Sequence, residues 1–334
     1  MKYLARRLAL SIPVLLGVTF IVFMILRLIP GDPIQVMFAG TGAPLEQREA
    51  MRHALGLDRP LPVQYFTYLG NALHGDFGES IHFGEPVLPL VLQRVPATVE
   101  LTLAGLLLGL VFALPAGLLA GTRRNSAVDH VVMVTATLGI SLPTFWVGIL
   151  MIMLFAVNLG LLPSSGRVDY SVQLTPVTGF YVFDALVTRN GPALVNALQH
   201  LALPAMTLGL SAATFMARLT RSSVVEQINK AYVTTAHAKG LPPRTVMTRH
   251  IARNSLIPVV TLISVMMGDL LAGAVVTETI FGWPGIGRLV VQSVNSRDFP
   301  VVQCAVLMFA VLRVGINFLT DVLYVRIDPR IGHI

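Results

Sequence analysis

Charged residues are scarce in this chain of 334 residues, in which Asp, Glu, Lys and Arg together make up 12%. Soluble domains carry about twice that share, so the composition argues against a water-soluble globule. The single cysteine, Cys304, excludes an intramolecular disulfide framework and a cysteine-rich metal site. The sequence contains no Gly-x4-Gly-Lys-Ser/Thr nucleotide loop, no Gly-x-Ser-x-Gly elbow and no His-Glu-x2-His metal motif. We therefore expect no catalytic residue, no bound cofactor and no metal site in this chain.

Apolar residues are abundant instead, at 54% of the chain, and the mean hydropathy is +0.72. A membrane-spanning helix needs about 20 mostly apolar residues. The first candidate stretch follows Lys2, Arg6 and Arg7, as a secretory signal would, but its apolar run is longer than the roughly 7–15 residues of a signal core. We therefore expect a retained helix and an all-α membrane protein with six transmembrane helices. Five of the stretches are 8–26, 101–122, about 194–217, 255–277 and 300–320, and the third span lies within the uncharged stretch 131–166.

The distribution of basic residues predicts the orientation of these spans. Six spans put both termini on one side, and the segments of that side are 1–7, 121–130, 218–254 and 325–334. Their Lys and Arg residues are roughly threefold denser than those of the opposite side, as the positive-inside rule requires of cytoplasmic loops. We expect both termini in the cytoplasm. The net charge of +7 then requires no nucleic-acid partner.

Three segments follow from this topology. Residues 1–96 comprise the first span and a long periplasmic segment. Residues 97–324 form a five-helix core that contains the cytoplasmic loop 218–254, and residues 325–334 form a cytoplasmic tail.

Proline and glycine inside the spans indicate how the helices pack. Each proline removes a backbone hydrogen bond and tends to kink a helix, which a cavity or a neighbouring helix makes tolerable in a membrane. Several such sites in one chain favour a moving, cavity-lining protein. Small residues recur at every fourth position of the second span and predict a groove for another helix, from this chain or a partner. The prolines are Pro13, Pro115, Pro143, Pro204 and Pro258, and the small residues are Gly105, Gly109, Ala113, Gly117 and Gly121.

Two charges, Asp269 and Arg313, fall near the middle of the fifth and sixth spans. A charge at this depth costs about 2.5–3.5 kcal/mol on insertion scales. We expect the two residues to pair or to share a polar cavity. A neutralised packing pair and a role in the substrate pathway both remain open.

The loop 218–254 is the most informative segment. Ser223-Val224-Val225-Glu226 fits a capping box and predicts a helix start. Gly240 followed by Pro242 and Pro243 predicts a helix end. A second, basic helix with Arg244, Arg249 and Arg253 then leads into the fifth span. Because membrane spans hold both ends of this helical hairpin, docking to a cytoplasmic protein is favoured over binding to DNA.

This loop resembles the cytoplasmic signature of ATP-binding-cassette (ABC) importer permeases. Thr234-Thr235-Ala236 stands where the wider superfamily prefers Glu-Ala-Ala, Gly240 matches, and Arg253 replaces a frequent proline. These departures are typical of the dipeptide/oligopeptide branch, which segments 220–223, 235–241 and 253–254 also resemble. Further similar fragments occur in order along the chain, at 29–33, 55–58, 75–80, 94–101, 141–146, 200–205, 270–273, 277–287 and 328–330.

The resemblance implies a type I ABC importer permease fold in the bacterial inner membrane. It implies a transmembrane subunit that forms half of the pathway for dipeptides or short oligopeptides and works by alternating access. Its partners would be membrane lipid, a second homologous permease, two cytoplasmic ATPases that use ATP and Mg, and a periplasmic or lipid-anchored substrate-binding protein. Import of nickel chelates, glutathione or another small solute by the same family remains an alternative. A secondary transporter, which would favour an internal repeat, and an intramembrane enzyme are the alternatives of other classes.

The resemblance also assigns candidate site residues. A coupling helix would seat in an ATPase groove, and the outer loop 281–299 would enter the cleft of the binding protein, unless it is a mere surface turn. Glu278 lies near the outer mouth, where it would attract a peptide amino terminus, gate the pathway or anchor the structure; Asp269 and Arg313 are the other pathway candidates. The coupling residues are Tyr232, Thr234, Thr235, Ala236, His237, Lys239 and Gly240, and the contact-loop residues are Trp283, Pro284, Gly285 and Gly287.

Overall fold

The computed structural model describes residues 2–28, 34, 44–54 and 56–327. The motif fragments 29–33 and 328–330, and most of the predicted tail, lie outside the described residues. The described chain is helical and packs as two compact units, Met1–Val95 with Gly285–Ile334, and Pro96–Pro284. The predicted segments 1–96, 97–324 and 325–334 concern sidedness and remain a prediction.

The helices are given in chain order. They are α1 (Lys2–Leu28), α2 (Leu45–Ala54), α3 (Leu61–Leu73), α4 (Val87–Leu92), α5 (Val95–Thr122), α6 (Ala127–Ser141), α7 (Thr144–Met151), α8 (Tyr181–Val187), α9 (Gly191–Ile228), α10 (Ala231–Ala238), α11 (Ile257–Ile280), α12 (Ile286–Asn295) and α13 (Phe299–Ile327). Helix α7 continues as a π-helix over Ile152–Asn158. A second π-helix, Val246–Ala252, lies between the short helical turns Pro243–Thr245 and Arg253–Ser255; the stretch 243–255 is called the π segment below.

The described helices contain five that are long and apolar enough to cross a membrane, or up to six if a bent pair counts as one span. The bent pair is the predicted third span, which breaks between α6 and α7 with an angle of 105°. Pro143 lies at this break as the N-cap of α7, and the lack of an N–H on proline explains why the helix does not continue. Pro115 and Pro204, by contrast, lie inside continuous helices.

The small residues of α5 pack against α9, which identifies the partner of the predicted groove within this chain. A Cβ added to Gly109 would lie 3.1 Å from the carbonyl oxygen of Gly209. A Cβ on Gly209 would meet the Gly105 carbonyl oxygen at 2.5 Å, which shows that the two backbones nearly touch. The buried core of this unit continues through Leu101, Leu208, Leu270 and Trp283. Small side chains therefore set the spacing of the two helices.

The other unit has its own buried core. Val87 and Val91 of α4 pack with Ile286 and Leu289 of α12 and with Val301 of α13. A smaller cluster joins Leu26 of α1 to Phe299 and Val302 of α13. This unit therefore gathers elements from both ends of the sequence.

The capping-box prediction at Ser223 is wrong, because α9 continues without interruption to Ile228. Val224 is fully buried, and a Cβ on Gly121 of α5 would lie 2.6 Å from its Cβ atom. Packing against α5 therefore keeps residues 223–226 inside α9, although their sequence alone would favour the start of a new helix. The predicted loop 218–254 is helical at its beginning, and only the residues after Ile228 leave α9.

Candidate functional site

Helix α10 is a short helix of 8 residues between the end of α9 and the π segment. It ends where the sequence predicts, at Gly240, whose φ is +75°. The Gly240 N–H donates to the His237 carbonyl at 2.9 Å, and the Leu241 N–H donates to the Ala236 carbonyl at 3.3 Å. This left-handed conformation costs an L-residue about 1–2 kcal/mol and suits glycine. Residues 231–240, which include the predicted coupling residues, are called the coupling segment below.

One face of α10 is buried against its neighbours. Val233 and Ala236 are nearly inaccessible and pack with Val224 of α9 and with Val246 and Ile251 of the π segment. Their spacing of three places both side chains on one helix face. The helix is thus fixed by an apolar contact on its inner side.

Tyr232 adds polar contacts to this anchor. Its hydroxyl lies 2.7 Å from Oε1 of Gln227, near the end of α9, and 3.4 Å from the carbonyl oxygen of His250 in the π segment. At the start of α10, Lys230 pairs with Glu226 at 2.8 Å, and this hydrogen bond raises the pKa of Lys230. Because α9 and the π segment both hold α10, a displacement of α10 moves both.

The opposite face of α10 is polar and exposed. Thr234, Thr235, His237 and Lys239 all present accessible side chains. Of the predicted coupling residues, these four face outward, Tyr232 and Ala236 face inward, and Gly240 ends the helix. Helix α10 is therefore fixed to its neighbours on one face and accessible on the other.

A buried ion pair that sequence reasoning missed lies at the same end of α9. Arg221 donates from Nε to Oδ1 of Asp129 at 2.5 Å and from Nη2 to Oδ2 at 2.7 Å. The Asn125 N–H donates to the same carboxylate at 3.0 Å. The turn before α6 is thereby fixed to the helix that carries the coupling segment. The two partners are 92 residues apart in sequence, so no local spacing marks them.

A second buried ion pair joins α5 to the segment before α8. Arg167 donates to Oε2 of Glu100 through Nε at 3.1 Å and through Nη2 at 2.5 Å, and to the carbonyl of Gly179 at 2.7 Å. The Val182 N–H donates to Oε1 of Glu100 at 2.8 Å. The Arg167 guanidinium also lies 3.8 Å from the centre of the Tyr181 ring. Both carboxylate oxygens of Glu100 are therefore engaged, and Glu100 fixes α5 to the segment before α8.

Asp184 of α8 holds the loop residues 177–179, which precede this helix. Its carboxylate accepts hydrogen bonds from the backbone of Val177, Thr178 and Gly179 and from the Thr178 hydroxyl, at 2.6–3.1 Å. Burial raises the pKa of Asp184, but these hydrogen bonds outweigh burial and leave the pKa below its ordinary value of 3.8. The loop is thus held by an ionised carboxylate.

Glu278 is fully buried near the end of α11. Its Oε1 accepts a hydrogen bond from the Thr98 hydroxyl at 2.6 Å, and its carbonyl accepts the Trp283 N–H at 2.9 Å. The indole N–H of Trp283 donates to the Ala97 carbonyl, also at 2.9 Å. These contacts bring Glu278 and Trp283 together with the start of α5 and favour the anchoring alternative for Glu278.

The remaining predicted site residues fall in different surroundings. Gly285 and Gly287 are buried and Pro284 is half-buried. These residues therefore form a largely covered turn that leads into α12. Asp269 is exposed on α11 and Arg313 is exposed on α13. These two residues belong to different units, and their pairing remains a prediction.

Five or six apolar helices long enough to cross a membrane, among the residues that the structure describes, define a polytopic membrane protein. The model of the family described as "Binding-protein-dependent transport system inner membrane component" matches residues 113–333, and a companion model of the amino-terminal part of such components matches residues 1–102. The chain belongs to this family. It is the multi-pass permease component of an inner-membrane transport system that depends on a separate substrate-binding protein and implies a partner ATPase.

Similar proteins cover nearly the whole chain. The di/tripeptide transport system permease protein DppB of Pseudomonas aeruginosa is 45% identical over 333 residues, which is 100% of this chain and 99% of that protein. The probable D,D-dipeptide transport system permease protein DdpB of Escherichia coli is 45% identical over 96% of this chain and 94% of its own length. The dipeptide transport system permease protein DppB of the same organism is 39% identical over 100% of this chain and 99% of its own length.

Proposed function

We propose that this chain is a transmembrane subunit of an ATP-driven importer of dipeptides or short oligopeptides. The observation that carries the proposal is the end-to-end similarity to permeases whose names specify dipeptides or tripeptides. In this role the chain forms half of the pathway, and a second homologous permease forms the other half. Two cytoplasmic ATPases bind ATP and Mg and hydrolyse the ATP. A periplasmic or lipid-anchored protein delivers the solute. The chain itself does not hydrolyse ATP.

The coupling segment is the proposed contact with an ATPase. Its polar face, with Thr234, Thr235, His237 and Lys239, would seat in a groove of the partner, while Val233 and Ala236 pass the motion to α9 and the π segment. A rigid-body movement of the ATPases would then switch the pathway between its inward-open and outward-open states.

A glycine substitution tests this coupling. Gly240→Val strains a residue with φ of +75° but meets no atom within 4 Å, so its effect stays at the end of α10. In proteoliposomes that hold the complete transporter and its binding protein, we expect labelled dipeptide uptake to fall about tenfold relative to ATP hydrolysis, because strain of about 1–2 kcal/mol displaces the docking helix.

The matched control is Gly160→Val. Gly160 has a φ of +61° and also meets nothing within 4 Å, but it lies outside the coupling segment. This variant should keep the uptake-to-hydrolysis ratio of the unmodified chain. An unchanged ratio in Gly240→Val would refute the assigned role of the coupling segment.

The substrate class is tested separately by competition. Uptake of a labelled dipeptide is measured with excess unlabelled dipeptide, glutathione or a nickel chelate. We expect the unlabelled dipeptide alone to compete. Saturable uptake of nickel chelate or glutathione in the absence of dipeptide uptake would replace the peptide assignment and leave the family unchanged.

A further inference from the structure

A polar cavity lies where α1 meets α3, inside the unit formed by Met1–Val95 and Gly285–Ile334. Its volume is about 150 Å³. Two cationic side chains and several polar ones line it, and no carboxylate does so among the residues that the structure describes. The lining residues that matter here are Arg27, Arg59, Gln64, Tyr68, Asn71 and Gln303.

Helix α3 has two distinct faces. Gln64, Thr67 and Asn71 follow the three- and four-residue spacing of one helix face and line the cavity. Phe66 and Leu73, seven residues apart, lie on another face and are exposed, at 67% and 79%. A helix that is polar toward a cavity and apolar toward its surroundings is typical of the membrane interface.

Contacts with α1 place α3 beside the membrane-spanning part of that helix. The Tyr65 ring packs edge-on against Phe20 and Phe23, with ring centres 5.4 Å apart in both pairs. The Tyr65 hydroxyl lies 3.1 Å from the hydroxyl of Thr19, which is well inside the apolar span Ala9–Leu28. The exposed apolar face of α3 is therefore at a depth where lipid chains reach it.

Arg27 is fixed in the cavity by a neutral partner. Its Nε and Nη2 donate to Oε1 of Gln64 at 3.1 and 2.9 Å, and its guanidinium lies 4.9 Å from the Phe23 ring centre. Gln64 in turn donates to the carbonyl of Arg59 at 2.7 Å. Nearby Asp58 is engaged by His53 at 2.8 Å. The arginine is oriented by this network, but none of these contacts supplies it with a counter-charge.

We propose that this cavity binds the phosphate group of a membrane phospholipid, with Arg27 and Arg59 as its charge partners. A guanidinium has five N–H donors, so Arg27 keeps donors beyond those that Gln64 accepts, and charge-assisted hydrogen bonds to phosphate oxygens are strong. The acyl chains of the lipid would lie along the exposed face of α3, next to Phe66. With the amino terminus in the cytoplasm, the site lies in the outer leaflet of the inner membrane.

The test quantifies lipid bound to the complete transporter. The complex is purified from nanodiscs that contain equal amounts of phosphatidylglycerol and phosphatidylethanolamine, and retained lipid is measured by native mass spectrometry. Loss of a charge-assisted contact should lower retention about tenfold in Arg59→Gln and further in Arg27→Gln/Arg59→Gln. Arg189→Gln removes the same charge from an exposed residue of the other unit and should retain lipid as the unmodified chain does.

The single variant Arg59→Gln keeps the experiment decisive if the double variant fails to fold, because Arg59 is exposed and its replacement should not disturb the core. A parallel arm adds inorganic phosphate. Equal retention of lipid in all variants would overturn the proposal. Displacement of the retained lipid by inorganic phosphate alone would also overturn it, since the site would then accept a free anion without need of the acyl chains.

Discussion

At the scale of single residues, the Asp129–Arg221 pair is the contact whose loss should matter most to the cytoplasmic end of α9. The Asp129 side chain is 4% exposed and that of Arg221 is 25% exposed. Two hydrogen bonds join them in a fork, and removing one partner would leave a buried charge without compensation.

We expect Asp129→Asn to lower the free energy of unfolding of the detergent-solubilised chain by about 1–3 kcal/mol, because it weakens hydrogen bonds to a charged group while Arg221 keeps some solvent contact. Thermal denaturation followed by helix signal measures the change. Glu226→Gln is the matched control, because its pair with Lys230 is exposed at both partners and its loss should leave the stability nearly unchanged. Equal losses in the two variants would contradict this account.

Both buried ion pairs show why side-chain contacts of this kind escape sequence reasoning. Arg167 and Glu100 are 67 residues apart, and the sequence gives no period or motif that joins them. Gly240 is the opposite case, since its position before Pro242 and Pro243 is a local signal and its positive φ confirms it. Local backbone chemistry is readable from sequence, but the partner of a distant charge depends on how the helices pack.

At the scale of helices, the contact between α5 and α9 depends on the absence of side chains. A Cβ on Gly117 would lie 2.6 Å from Cβ of Thr220 and 2.7 Å from the carbonyl oxygen of Ala217. Neither atom is the flexible end of a side chain, so the helices themselves would have to separate.

We expect Gly117→Ala to destabilise the chain by about 1–3 kcal/mol through overpacking, although alanine is the better helix former. The control is Gly17→Ala in α1, where an added Cβ meets nothing within 4 Å. This control should be neutral or stabilising by up to about 1 kcal/mol. Thermal denaturation of both variants in detergent gives the comparison, and a stable Gly117→Ala variant would show that α5 and α9 pack less closely.

Helix existence was predictable from apolar length, but helix continuity was not. The capping box at Ser223 met the local rule, yet packing of Val224 against α5 and α10 carries α9 past it. Pro143 and Pro204 looked alike in sequence, yet the first breaks a span and the second lies within α9. The outcome at each proline depends on the neighbours available to satisfy the freed backbone groups.

At the scale of the whole molecule, the distribution of basic residues predicts which loops lie on the cytoplasmic side of the membrane, and this prediction can be tested. Cys304 is the single cysteine and is 1% exposed, so the unmodified chain should resist a membrane-impermeant maleimide. Cys304→Ala then provides a background for single reporter cysteines at exposed positions.

In that background we expect Lys239→Cys and Arg124→Cys to react only when the cytoplasmic side is accessible, because basic loops remain inside. Arg189→Cys should react from the periplasmic side. Labelling of spheroplasts and of inverted vesicles distinguishes the two. Reaction of Lys239→Cys in intact spheroplasts would reverse the topology and remove the basis for an ATPase contact at α10.

The length of α9 has a consequence for how force travels through the protein. With 38 residues, it is about 57 Å long at 1.5 Å per residue, which exceeds the roughly 30 Å hydrocarbon layer. One unbroken rod therefore runs from the support of α10 to the loop held by Arg167 and Asp184. A tilt applied at one end of α9 is therefore carried to its other end as a lateral displacement, and Pro204, which removes one backbone hydrogen bond, is the point within α9 where part of that displacement can be lost.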